Sequence, residues 1–221
     1  MNADPEQRII DCWHDNAASW RRLMQQRSIA SRRHTDPAII DMAIRSGAGR
    51  VLDIGCGEGW LCRALSEHGM AVTGTDAVAE LLEQARRCHP AGTYLELDYE
   101  ALINGALPQH FDLVICNFSL FGEHSVERLL EHLSERLHDN AGTLLIQTLH
   151  PLMSCQQQYR DGWREGSWPG CDDLCGTAPP WYFRTLGSWL RLLAQYGFQT
   201  TLHEPCDPHT GLPLSAIFEA R

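Results

Sequence analysis

The chain predicts a doubly wound α/β fold: a mostly parallel sheet with helices on both faces, an N-terminal helical cover and an aromatic cap insertion. Three observations carry this. From Arg50 onward, short β-favouring runs alternate with helical patterns, which implies parallel strands joined by right-handed crossovers. The first run, Val51, Leu52 and Ile54 around Asp53, ends in glycines at alternate positions, Gly55, Gly57 and Gly59, and a helical pattern opens at Trp60. Between the fifth run and the last helix, residues 150–186 lose all periodicity and gather Tyr159, Trp163, Trp168, Trp181, Tyr182 and Phe183.

Taken in order, residues 5–26 read as an amphipathic helix, with Ile9, Ile10, Trp13, Ala17, Trp20 and Met24 near helical spacing. A second helix is expected over 31–46, with Asp36-Pro37 as its start signal. Strands are expected at 50–54, 71–75, 93–97, 111–116 and 142–149, and helices at 59–68, 78–87 and 125–138. Two more strands, 198–204 and 214–219, follow Gly197. Residues 1–221 thus form one domain, with N-terminal helices over 1–47 and a cap over 150–186.

Composition narrows the function. The formal net charge is −10 and no basic tract occurs, so the electrostatic footprint for nucleic acid is missing. No run of 18 apolar residues is present and the first residues are polar, so neither a membrane span nor a signal peptide is expected. Nine cysteines are scattered through the chain, which points to reduced thiols and a cytoplasmic setting. Cys56, Cys62 and Cys116 fall in core elements, where the thiol packs as a small hydrophobe. Cys155, Cys171 and Cys175 have loose spacing without a histidine in zinc register, so no metal is expected. Asp207, His209 and Thr210 lie among Pro205, Pro208 and Gly211, where a turn is the simpler reading.

The glycine segment carries the chemistry. A strand, a glycine-rich turn and a helix start together offer backbone N–H groups to a polar or anionic ligand group. Asp53 adds a negative charge suited to a ligand that also carries a cation. The string Val51-Leu52-Asp53-Ile54-Gly55-Cys56-Gly57-Glu58-Gly59 resembles motif I of the class I S-adenosylmethionine (SAM)-dependent methyltransferases. The nicotinamide fingerprint needs its third glycine at the position of Trp60 and fits less well.

The resemblance implies a seven-stranded Rossmann-like methyltransferase sheet with the last strand antiparallel. It also implies S-adenosyl-L-methionine as cofactor and S-adenosyl-L-homocysteine as product. Asp53, Gly55, Cys56 and Gly57 would line the cofactor. Asp76, at the end of strand two and followed by Ala77, would accept both hydrogen bonds of the ribose diol. Asp98 and the Tyr99 amide would meet the adenine. Asn117, Phe118 and Ser119 would wrap the methionine end, and a basic residue among Arg32, Arg33 and His34 can meet its carboxylate. Base-methylating DNA enzymes carry a Pro-Pro-aromatic sequence after this Asn, and Phe118-Ser119-Leu120 departs from it.

For the acceptor side, His150 stands just past the fifth strand as the candidate catalytic base, since imidazole titrates near neutrality. Methyl transfer by alignment alone competes with that reading. Tyr159, Arg160, Asp161, Arg164, Tyr182 and Arg184 are candidates for orienting a substrate. The arginines would favour an acidic group on it, against the alternative that they pair within the cap. The expected activity is transfer of a methyl group to an oxygen or nitrogen of a small-molecule acceptor, by a monomer or homodimer. The overall look is similar to ubiquinone-biosynthesis-like methyltransferases. A non-catalytic SAM-binding scaffold and a nicotinamide oxidoreductase are the alternatives.

Overall fold

The structure, a computed structural model, describes residues 4–26, 28–138, 142–155, 158–168 and 176–221. Helix α1 spans Pro5–Gln26. Asp4 accepts from the Glu6 amide, and proline takes the first helical position, where its missing N–H costs nothing. Helix α2 spans Arg32–Arg45, so Asp36-Pro37 lies inside it and does not start it. Helical bonds already run from His34 and Thr35 to the Ser31 carbonyl, and Arg32 pairs with Asp36 at 3.0 Å. The start signal is overridden by this i,i+4 pair and by packing of Thr35 and Ile39 on the sheet.

Next come β1 (Arg50–Ile54), α3 (Trp60–Glu67), β2 (Ala71–Asp76), α4 (Ala79–Cys88), β3 (Thr93–Glu96) and α5 (Tyr99–Ile103). They are followed by β4 (Leu113–Asn117), α6 (His124–His138), β5 (Thr143–Leu149) and α7 (Pro151–Ser154). The chain ends with β6 (Gly162–Arg164), β7 (Trp181–Phe183), α8 (Leu186–Gln195), β8 (Thr200–His203) and β9 (Ser215–Ala220). Strand four starts two residues later than the pattern predicts. Asp112 still bonds to both neighbours through its backbone, donating to the Arg50 carbonyl and accepting from the Thr143 amide, while its carboxylate accepts from the amides of Gly49 and Arg50 at 3.1 and 2.8 Å.

Among the described residues the main sheet has seven strands in the order β3-β2-β1-β4-β5-β9-β8. All pairings are parallel except those of β9, which runs antiparallel to both β5 and β8. Alternate residues of the buried strands face opposite layers. Val51, Ile115, Leu145 and Ile217 pack under α2, α3 and α4 with Ile39, Leu61 and Leu82. Leu52, Val114, Ile146 and Phe218 face α6 and α8 with Leu130, Trp189 and Leu193. This placement leaves the carboxyl ends of β1, β2, β4 and β5 facing a common crevice, where ligands of such sheets bind.

The crevice is roofed by α1 and the cap, which are tied to each other. The Asn16 amide donates to the Thr177 carbonyl at 2.9 Å and its oxygen accepts from the Gly176 amide at 2.8 Å. Arg8 pairs with Glu165 at 2.9 Å. Within the cap β6 and β7 pair antiparallel, an element the aperiodic sequence does not reveal. Tyr182 then donates its amide to the Phe121 carbonyl at 2.7 Å, fastening the hairpin to the segment after β4.

One contact fixes α1 against α6. Glu6 Oε1 accepts from the amides of Glu123, His124 and Ser125 at 2.9, 2.8 and 3.3 Å. A carboxylate satisfies the free donors at a helix start and complements its dipole. Glu6→Ala is expected to cost about 0.5–2 kcal/mol of stability, the range for loss of an N-cap. Urea denaturation measures it, and a variant as stable as wild type would show that water replaces the carboxylate. No helix of the described residues is long and apolar enough to cross a membrane.

Candidate functional site

The three glycines after β1 all adopt left-handed backbone, with φ of +74° at Gly55, +55° at Gly57 and +74° at Gly59. Their amides are not bare, as the strand–turn–helix pattern leads one to expect. Gly55 and Cys56 both donate to the Thr75 carbonyl, at 2.8 and 2.9 Å, and Gly59 donates to Cys56. Gly57 donates to Asp76 Oδ2 at 2.8 Å. The glycines therefore serve by lacking side chains. A Cβ on Gly55 would overlap that of Ser119, and one on Gly59 would come within 2.8 Å of the Tyr94 ring. One on Gly57 would lie 3.9 Å from the Trp20 indole nitrogen.

Acids surround this loop. Asp53 is 1% exposed beneath it. Its Oδ2 accepts from the Cys62 thiol at 3.3 Å, while Oδ1 is buried without a partner among the described residues. Burial pushes its carboxyl up to about 7, opposed by the thiol bond and reinforced by Asp76 and Glu58. Glu58 is also buried and pairs with Arg63 at 2.8 Å. Asp76 spans two turns, with Oδ2 on the Gly57 amide and Oδ1 on the Val78 amide at 2.9 Å. Burial raises its pKa, against the pull of those amides. Ala77 sits half-buried between Asp76 and the apolar contact of Val78 with Ala17 and Leu81.

Asp98 is exposed and caps α5 through Oδ1, which accepts from the Ala101 amide at 2.7 Å. Tyr99 turns inward, and its hydroxyl donates to the Ser119 carbonyl at 2.7 Å. Burial raises the phenol well above its ordinary value, so it stays protonated. After β4, Ser119 donates to the Ile54 carbonyl at 2.7 Å and so bolts this segment to the end of β1. Asn117 Oδ1 is buried and unpartnered among the described residues. Phe118 holds φ at +51°, where a bulky side chain is strained by about 1–3 kcal/mol. Its amide is anchored on the Gln147 carbonyl at 2.8 Å. Such strain concentrates at ligand sites.

The structure thus brings Asp53, Gly55, Cys56, Gly57, Asp76, Ala77, Asn117, Phe118 and Ser119 to one crevice, with Asp98 and Tyr99 at its rim. Arg32 lies 4.5 Å over the Trp60 ring and also contacts Met24. The sequence implied a helical cover and an aromatic cap, but not the ring cluster that joins them. Trp13, Trp20, Trp168 and Phe121 form one cluster, with ring centroids 5.2–6.0 Å apart. The seven-residue spacing of Trp13 and Trp20 was the available signal, but it reads equally as a core stripe.

The cap arginines are not aimed at an acidic ligand. Arg164 donates to the carbonyls of Arg160 and Trp163, at 2.8 and 3.1 Å, and lies over Phe183. Arg184 donates to the carbonyls of Gly122 and Glu123 and stacks on Tyr182. Arg160 meets Gln158 at 3.1 Å. Tyr159 and Asp161 accept the amides of Leu186 and Thr185. His150 is 1% exposed, and its Nε2 faces Glu204 Oε1 at 2.7 Å. Cys171 and Cys175 lie outside the described residues. Asp207 closes its own turn by accepting from the amides of His209 and Thr210.

A family model described as a methyltransferase domain matches residues 12–204. The chain belongs to the methyltransferase-domain family. Within that family it is 32% identical over 140 residues to a malonyl-[acyl-carrier protein] O-methyltransferase of Enterobacter lignolyticus, covering 63% of this chain and 53% of that one. The chain spans about half the length of this curated relative, and less of the ubiquinone biosynthesis O-methyltransferase of Stutzerimonas stutzeri (37% identity, 35% and 34% covered). A SAM-dependent methyltransferase structure from Mesorhizobium loti aligns with a TM-score of 0.59 at 28% identity, covering 78% and 90% of the two chains. The fold also matches a magnesium protoporphyrin IX methyltransferase from Synechocystis with bound SAM, with a TM-score of 0.67 at 18% identity and coverage of 100% and 99%.

The family's cofactor is S-adenosyl-L-methionine, and the methyltransferase crevice fits it. Buried acceptors without donors, Asp53 Oδ1 and Asn117 Oδ1, stand at the ends of adjacent strands. A ligand carrying an ammonium and a sulfonium supplies the donors and the positive charge that they lack.

Proposed function

We propose that the chain transfers a methyl group from SAM to an oxygen or nitrogen of a small-molecule acceptor. Two buried acceptors without donors among the described residues, Asp53 Oδ1 and Asn117 Oδ1, carry this reading, because they match a cationic methyl donor better than an anionic cofactor such as a dinucleotide. Asp76 would hold the ribose diol, and Asp98 with the Tyr99 amide the adenine. Asp53, Asn117, Phe118 and Ser119 would surround the methionine end. When bound, SAM supplies a methyl group activated on a sulfonium and leaves S-adenosyl-L-homocysteine. The chain's own part is to align the acceptor, exclude water beneath α1 and the cap, and take up the acceptor's proton at His150.

The acceptors named for the relatives, a malonyl carrier and a magnesium porphyrin, differ widely. The cap supports a narrower reading. Its Trp168 packs against Trp13 and Trp20 of α1, with Phe121 beside Trp13, and its arginines are already occupied. That combination favours a flat, uncharged acceptor over a carboxylate. A cytoplasmic location, and a monomer or homodimer, complete the reading.

Incubation with methyl-labelled SAM and a panel of phenols, N-heterocycles and aliphatic acids tests it. Label is expected on a phenol or ring nitrogen. Label only on aliphatic acids would refute the acceptor class. Tight SAM binding with no transfer to any compound would favour a non-catalytic binding protein.

A further inference from the structure

Among the described residues the His150 ring makes one polar contact, from Nε2 to Glu204 Oε1, and its Nδ1 is buried without a partner. The imidazole side chain is 0% exposed, whereas the Glu204 side chain is 46% exposed. The two come from different strands. His150 follows β5, Glu204 follows β8, and β9 runs between them with Ser215 beside Leu149. An ionised carboxylate only accepts, so Nε2 carries the hydrogen, and in a neutral ring Nδ1 then holds the lone pair. A buried lone pair with no donor is costly. It is the expected state of a base whose donor arrives with the substrate.

We propose that Glu204 is a positioning residue that locks His150 in the Nε2–H tautomer and thereby presents Nδ1 to the O–H or N–H of the methyl acceptor. The inference rests on the reading of His150 as the base. In the step, the acceptor's proton passes to Nδ1 while its lone pair forms the bond to the methyl carbon. The electron pair of the broken carbon–sulfur bond stays on sulfur, leaving the neutral thioether. The resulting imidazolium keeps its Nε2–H on the Glu204 carboxylate, which stabilises the positive charge as it forms. The acceptor oxygen or nitrogen therefore needs no separate base from the cap.

The test uses the full chain saturated with S-adenosyl-L-homocysteine. Long-range proton–nitrogen correlation spectra read the His150 tautomer directly, without any acceptor. Wild type is expected to show Nε2 protonated and Nδ1 bare. Glu204→Ala is expected to mix the tautomers and to lower turnover of the acceptor found with labelled SAM by at least about tenfold, within the range of general-base effects. SAM affinity should stay at the wild-type value. Glu204→Gln keeps an acceptor oxygen, so it should restore the tautomer and part of the turnover. A wild-type Nδ1–H tautomer would overturn the proposal, as would a Glu204→Ala protein with unchanged tautomer or unchanged turnover. His150→Ala separates the two readings. Undiminished turnover there removes the base itself, whereas an inactive His150→Ala beside a fully active Glu204→Ala removes only the role of Glu204.

Discussion

Replacing Asp76 with alanine is expected to weaken SAM binding by about 1.5–3 kcal/mol, roughly 10- to 150-fold in dissociation constant, the scale of hydrogen bonds to a charged group. The carboxylate sits at the end of β2 and is held from both sides, by the amides of Gly57 and Val78 at 2.8 and 2.9 Å. Each oxygen keeps a second lone pair for a ribose hydroxyl. On the proposed reading the substitution removes the sugar's acceptor, and it also frees the Gly57 and Val78 amides of the loop. Asp76→Asn should lose nearly as much, because its NH2 group must face one of two backbone donors. Calorimetric titration with SAM checks both variants, and wild-type affinity in Asp76→Ala would remove this residue from the site.

The elements legible in the sequence were those fixed by local periodicity. The runs around Val51, Val114 and Leu145 are buried on both sides, so they read as continuous apolar strands. The glycines were visible because left-handed backbone at Gly55, Gly57 and Gly59 admits little else. What those glycines do was misread, since the use of their amides by Thr75 and Asp76 depends on a strand twenty residues away. The same holds for Glu6, which caps a helix that begins at His124 and has no cap of its own type beside it. A positive φ at Phe118 has no signature in the sequence, because it is imposed by Gln147 on the neighbouring strand and by the Ser119 anchor. Pairing between Trp163 and Tyr182 of the cap hairpin, far apart in sequence, left no local trace either, so they showed only as aromatics in a loop. Tertiary contacts made these features, and only composition hinted at them.

With Asp53 in the proposed role, the affinity for SAM is expected to depend on pH, and the sign follows from its raised pKa. Folded, its carboxyl titrates at about 7, above the ordinary value of 3.8, because burial penalises the charge. Between those values the folded protein binds more protons at this group than the unfolded chain does. The ligand-free protein therefore loses stability at Asp53 as pH rises through that window, and carries the full cost above 7. A cationic ligand reverses the preference, since it favours the ionised form. If SAM binds only the carboxylate, its affinity should fall by about tenfold for each pH unit below 7 and level off above it. Burial also raises Asp36 and Asp76, so the ligand-free protein loses stability at these groups too as pH rises. Asp53→Asn isolates the contribution of this one group. The difference between wild type and Asp53→Asn, measured as thermal stability without ligand and as SAM affinity between pH 5.5 and 8, should change with opposite slopes. Parallel slopes, or none, would mean that Asp53 stays neutral beneath the loop and that the cofactor's charge is balanced elsewhere.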